Sequence, residues 1–302
     1  MQTMNPVYPF YGEKTVCKPQ KLAFPPQHQD QQPGLESLMV PEPISEDPAY
    51  IGSCKLQGKV AIITGGDSGI GRAAAIAFAK EGADVVIAYL YERTDAEWTR
   101  DRIVELGQRC LLIETDLRLK PNCEAVIRKT METFGKIDIL VNNHAVQYVQ
   151  QSIVDITEEQ LYHTFQTNVF SYFFLIQSAL PHLCQGASII NTASITAYKG
   201  DVRLIDYSST KGAVVSLTRV LSQSLADKGI RVNAVAPGPI WTPLIPASFS
   251  AEDVQVFGTD TPMGRAGQPY ELAAAYVYLA SRDSSYVTGE CIHVNGGDMV
   301  TT

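Results

Sequence analysis

The chain has 302 residues, with 24 Lys and Arg against 32 Asp and Glu and a formal net charge of −8. That acidic balance, without a basic cluster, argues against nucleic acid or an anionic membrane as partner. No apolar run approaches the roughly 18 residues that span a bilayer, and the first 50 residues lack a signal-peptide core, so the expected location is the cytoplasm. Six scattered cysteines, without paired spacing or neighbouring histidines, read as reduced thiols, and no metal site is expected.

Prolines crowd residues 1–55, from Pro6 to Pro48, around a polar run at 27–32. Such a segment cannot bury a core of its own. Its aromatic residues Tyr8, Phe10, Tyr11 and Phe24 predict a wrap over a folded surface, either the chain's own body or a neighbouring subunit. From 56 to 302 short β-branched runs alternate with longer amphipathic ones. Strands are predicted at 60–63, 84–89, 110–114, 137–141, 187–192, 231–235 and 291–294. The principal helices are predicted at 72–81, 95–106, 121–134, 158–180 and 205–228. Strands that are apolar without alternation suit a parallel sheet covered on both faces. The expectation is therefore one α/β domain, doubly wound, with a seven-stranded parallel sheet.

After the first strand the chain reads Thr64-Gly65-Gly66-Asp67-Ser68-Gly69-Ile70-Gly71 and enters a helix. Glycines permit a tight turn and a close backbone approach, and the helix N-terminus offers unpaired N–H groups to a pyrophosphate. A structural strand–helix turn would use the same residues, so the motif gains weight only from a second site. That site lies further along the chain, where Tyr207 and Lys211 stand one helical turn apart and project from one face. Alone, the pair also describes a half-buried ring beside a snorkelling lysine stem. With Ser194 before it and Asn168 further back, it fits acid/base work on an alcohol or carbonyl oxygen. A nearby ammonium is expected to lower the phenol from its ordinary pKa of about 10.

Taken together, these residues resemble the short-chain dehydrogenase/reductase family from about Gly58 to the C-terminus. The Pro-Gly-Leu-Glu-Ser stretch at 33–37 is similar to that of an extended bacterial subgroup of stress-associated and glucose/ribitol-dehydrogenase-like oxidoreductases. The resemblance implies a Rossmann-type fold and NAD(P) as cofactor. It assigns Tyr207 as acid/base, Lys211 as activator and ribose anchor, Ser194 as donor to the substrate oxygen, and Asn168 as the holder of a relay water. It further implies cofactor contacts from Gly65, Asp67, Ser68, Gly69, Ile70 and Gly71 in the turn, from Asp116 and Leu117 at the adenine, and from Asn143, His144 and Ala145 after the fourth strand. Thr192, Pro237, Gly238, Ile240 and Thr242 complete that set on the nicotinamide side.

Two places depart from the family pattern. At the end of the second strand, Tyr89-Leu90-Tyr91-Glu92-Arg93 lacks the usual aspartate. Glu92 can accept from the ribose, whereas Arg93 or Arg72 can meet a 2′-phosphate, and all three can simply face solvent. No arginine directly follows the strand, which inclines the expectation to NAD. His144 stands where relatives show a small residue and reads as a packing substitution. Residues 242–268, rich in proline and glycine, are expected to form the substrate lid. In that stretch Trp241, Leu244, Ile245, Phe249 and Phe257 serve equally well as pocket wall or as packing.

The expected reaction is hydride transfer between nicotinamide and a small alcohol, aldehyde, ketone or sugar/polyol. A nucleotide-binding regulatory protein with little turnover and an acyl-thioester 3-oxo reductase are the alternatives. The family resemblance also implies a homotetramer.

Overall fold

The computed structural model describes residues 19–300. Tyr8, Phe10 and Tyr11, expected to anchor the wrap, lie outside them. Seven parallel strands run β1 (Val60–Thr64), β2 (Asp84–Tyr89), β3 (Cys110–Glu114), β4 (Ile137–Asn142), β5 (Leu183–Thr192), β6 (Arg231–Pro237) and β7 (Cys291–Val294). Their order across the sheet is β3-β2-β1-β4-β5-β6-β7. This is the single Rossmann-type domain expected, and β1 through β3 start at the predicted residues.

β1 is buried along its whole length, and β2, β4 and β6 along nearly all of theirs, so the sheet must be covered on both faces. On one face, α1 (Gly69–Lys80), α2 (Arg93–Glu105) and α9 (Tyr270–Ala280) pack Phe78, Ile103 and Tyr276 against Ile63, Val85 and Ile87. On the other, α3 (Lys120–Phe134), α5 (Ser171–Ala179) and α7 (Ile205–Ser224) pack Val126, Tyr172 and Val214 against Ile62, Val86 and Ile189. A third cluster joins Met39, Leu204, Tyr207, Trp241, Ile245 and Phe249, with Phe24 against it. It brings the N-terminal segment, the start of α7 and the stretch after β6 into one apolar group.

The stretch predicted as one helix over 158–180 is divided. α4 (Glu158–Phe165) gives way to a π turn at Gln166–Phe170 before α5 begins. The cause is Asn168, whose side chain bonds the Val146 backbone and not its own helix. Two smaller differences follow from glycines. β5 begins at Leu183, ahead of the predicted 187, and bends at Gly186. The helix predicted to 228 ends at Ser224, with Gly229 in the left-handed region after a short 3-10 turn. The remaining α-helices among the described residues are α6 (Thr196–Lys199) and α8 (Ala251–Gln255). Among the described residues no helix is long and apolar enough to cross a membrane.

Residues 19–55 lie across the body. Phe24 stacks on Trp241 with ring centroids 3.8 Å apart. Glu36 pairs with Arg72 of α1 at 2.6 Å, and Glu46 with Lys80 and Arg102, each at 2.8 Å. Phe78 has no exposed surface and fills the space between α1 and the sheet. Phe78→Ala is expected to lower unfolding free energy by about 3–5 kcal/mol in denaturant titration, with an unchanged slope.

Candidate active site

The loops after β1 and β4 diverge at the point where the strand order reverses, which leaves a crevice at the carboxyl ends of the sheet. The glycine turn forms its floor. Gly65 (φ +62°) and Gly69 (φ +52°) hold backbone conformations that side chains resist. A Cβ on Gly71 would collide with the Gly65 carbonyl, so the third glycine sets the approach of helix to strand. Asn143 bridges the two loops, its Nδ2 donating to the Thr64 and Gly65 carbonyls at 3.2 Å.

A cavity of about 600 Å³ runs from this turn to Tyr207. It takes in all the cofactor residues expected from sequence except Gly71, which lies behind the turn. Asp116 and Leu117 line it after the edge strand β3, His144 after β4, and Ile240 and Thr242 after β6. The bare backbone cradle of the turn and a cavity that continues from it to Tyr207 fit a dinucleotide.

Tyr207, Lys211 and Ser194 meet at the near end. The Lys211 ammonium donates to the Thr192 carbonyl at 2.7 Å and lies 5.5 Å from the centre of the Tyr207 ring. Ser194 Oγ accepts from the Thr196 amide at 3.1 Å and hydroxyl at 3.0 Å, which leaves its own proton to donate. Asn168 sits behind the cavity. Its amide exchanges both bonds with Val146, at 2.8 and 2.9 Å, and reaches Thr210 Oγ1 at 3.1 Å. Asp206, which sequence reasoning did not single out, fixes the start of α7. It accepts the Tyr207 N–H at 2.9 Å and the Thr164 hydroxyl at 2.8 Å.

The electrostatics correct one expectation. Burial pushes the Tyr207 phenol up to about 12, and the Ser194 hydroxyl pulls it back only in part. Burial also brings Lys211 down to about 7. Both charged forms are disfavoured by loss of water, and this outweighs any lowering of the phenol by its ammonium neighbour. Tyr207 is therefore held as the neutral phenol, the form that donates a proton.

The charges at the second strand are also placed. Arg72 does not face the cavity, because Glu36, Asp95 and the Asp67 carbonyl take its guanidinium. Arg93 pairs with Glu97 at the surface. Glu92 lines the cavity, but its Oε2 accepts the Leu90 and Tyr91 amides at 3.1 and 2.7 Å. Burial raises both Glu92 and Asp67. Trp241 is fully buried under Phe24 and forms no wall, whereas Leu244, Ile245, Phe249 and Phe257 do. The cavity also includes Gln32, Pro33, Gly34 and Gln147, for which no motif gives a signal.

A family model described as enoyl-(acyl carrier protein) reductase matches residues 65–298. The chain belongs to the short-chain dehydrogenase/reductase family and is an NAD(P)-dependent oxidoreductase. It is 55% identical to General stress protein 39 of Bacillus subtilis, over 92% of this chain and 98% of that one. With the glucose and ribitol dehydrogenase of Daucus carota the identity is 52%, over 92% and 97%. Among solved structures, a short chain dehydrogenase of Burkholderia cenocepacia in complex with NADP matches with a TM-score of 0.75 and 31% identity, over 81% of this chain and 99% of that one.

His144 is engaged at both ring nitrogens, by Thr64 Oγ1 at 2.7 Å and Ser171 Oγ at 2.9 Å. Burial, and then the charge of Lys211, push it down to about 3. Unfolded imidazole takes up a proton near 6.5, so acidification below that value favours the unfolded chain. His144→Ala should remove this dependence. The difference between wild-type and variant unfolding free energies is expected to change by up to about 1.4 kcal/mol per pH unit below 6.5, with wild type losing stability faster. Parallel profiles in denaturant titrations would contradict the assignment.

Proposed function

We propose that the protein catalyses reversible hydride transfer between a nicotinamide dinucleotide and a small alcohol or carbonyl substrate, of the aldehyde, ketone or sugar/polyol class. The observation that carries this reading is the meeting of Tyr207, Ser194 and Lys211 at one end of a cavity whose other end is a glycine cradle. Bound there, the dinucleotide would supply or accept the hydride. The residues of the turn would hold its phosphates, Asp116 and Leu117 its adenine, and Lys211 its nicotinamide ribose.

In the reducing direction, Ser194 turns its hydroxyl proton to the substrate oxygen and so fixes the carbonyl. Tyr207 gives its proton to that oxygen as negative charge develops on it. Reprotonation of Tyr207 runs by way of the buried Lys211, with Asn168 and Thr210 behind it. In the oxidising direction the same phenol must first lose its proton. Among the lining residues Lys199 and Arg203 are already paired with Asp298 and Asp253, and Asp201 and Asp260 stand with them, which favours a small substrate over an acyl chain on an acidic carrier.

We further assign NAD as the preferred cofactor. Asp67 and Glu92 line the adenosine end, while Arg72, Arg93 and Arg118 each pair with a carboxylate of the chain. A 2′-phosphate would meet acid there and no free arginine among these three. We also place the enzyme in the cytoplasm as a homotetramer. The exposed Leu161, Tyr162, Phe170 and Phe173 along α4, the π turn and α5 support the assembly.

An assay over sugars, polyols, aldehydes and ketones with both nucleotides tests the reading. Tyr207→Phe removes the proton donor and spares the ring. Its turnover of any substrate found should fall by about 10²–10⁴ while NADH titration by fluorescence still shows binding. Near-full turnover in that variant rejects the assignment. With the best substrate, kcat/KM for NAD should exceed that for NADP by at least about tenfold, and the reverse ratio overturns the cofactor preference.

A further inference from the structure

Two consecutive residues after β4 are held by side-chain amides from opposite directions. Asn168 bonds both backbone groups of Val146. One residue on, Gln32 of the N-terminal segment repeats the arrangement. Its Nε2 donates to the Gln147 carbonyl at 2.6 Å, and its Oε1 accepts the Gln147 N–H at 3.1 Å. The Gln147 side chain, itself buried, then donates to Ser248 Oγ of the lid at 2.8 Å. Gln32 and Gln147 both face the reaction cavity.

The N-terminal segment meets the lid at several further points. The Gln29 amide donates to the Pro246 carbonyl at 2.8 Å, and His28 Nδ1 bonds the Phe249 carbonyl at 2.7 Å. At Gly34 the fit leaves no room for a side chain. A Cβ there would lie 2.5 Å from the Pro243 carbonyl oxygen and 2.9 Å from the Ala247 Cβ. Loop, lid and segment therefore share one junction, and Gln32 is the residue that ties the loop to it. A lid that must order on binding costs affinity, and one already ordered does not.

We propose that Gln32 is a positioning residue of the active site, contributed by the N-terminal extension. By clamping the Gln147 backbone opposite Asn168, it holds the lid through Ser248 in the geometry that presents a substrate oxygen to Ser194 and Tyr207. This role rests on the dehydrogenase reading above. Asn168 secures the loop toward Thr210 and the lysine, and Gln32 secures it toward the lid.

Gln32→Ala is the test, made in the full chain. KM for the most active substrate of the panel should rise about tenfold, with the NADH dissociation constant within about twofold of wild type. Hydrogen exchange should quicken in peptides covering 143–150 and 242–257 and stay unchanged in β2 and β3. Ser248→Ala cuts the same chain of bonds from the lid side and gives the same readout should Gln32→Ala fold poorly. The double variant should be no worse in KM than the weaker single variant, since both act through Gln147. Unchanged lid exchange and KM, or additive KM effects, overturn the role of Gln32. A wild-type protein without turnover whose lid exchange still responds to Gln32→Ala rejects the dehydrogenase reading and leaves the clamp standing.

Discussion

The cleft depends on a tie across a gap, made to Thr64 and Gly65 by Asn143 and His144. β1 and β4 are hydrogen-bonded neighbours, yet the chain leaves them in opposite directions, and nothing in the sheet itself keeps their loops together. Asn143 does so with one side-chain amide laid on the Thr64 and Gly65 carbonyls, while Thr64 Oγ1 accepts the Asn143 amide at 2.9 Å. Thr192 of β5 reaches the same asparagine at 3.2 Å, which carries the tie one strand further. The floor of the cavity and the carbonyl that receives Lys211 thus belong to one bonded unit.

The chemistry at the near end is governed by dryness more than by charge pairing. Tyr207 is 8% exposed and Lys211 1%. In such a place the charged form of each group is penalised, and a phenol that keeps its proton is ready to give it. His144 belongs to the same environment. Its bulk fills space beside Tyr172, at 5.3 Å between ring centroids, and it adds no charge next to the lysine. The histidine that departs from the family pattern therefore leaves the electrostatics of the site as a small apolar residue would.

Much of this was legible in the sequence because it repeats at short range. Strands such as Val60–Thr64 declare themselves by unbroken apolar character, the glycine turn by position between strand and helix, and the Tyr207–Lys211 pair by helical spacing. The illegible parts are contacts between residues far apart in the chain. By spacing alone Asn168 looks like an ordinary helical polar residue, and only the family resemblance marks it; the Val146 contact that goes with the π turn comes from another part of the chain. Glu36 and Arg72 are 36 positions apart, and their meeting decides that Arg72 is closed to a phosphate. Gln32 lies in a proline-rich polar run, where composition predicts a wrap but cannot say which glutamine meets which backbone.

The Glu36 carboxylate has a further partner, the Gly69 N–H at the mouth of α1, at 2.5 Å. Burial raises this acid to about 7 in spite of the guanidinium beside it. Trimming the chain ahead of Leu38 would be no removal of an ornament: it would strip a counter-ion from an interior arginine, unseal the indole of Trp241 and open the dinucleotide crevice to solvent along one side. The leader segment is in that sense masonry, and the nucleotide fold behind it is the part that cannot stand weatherproof alone.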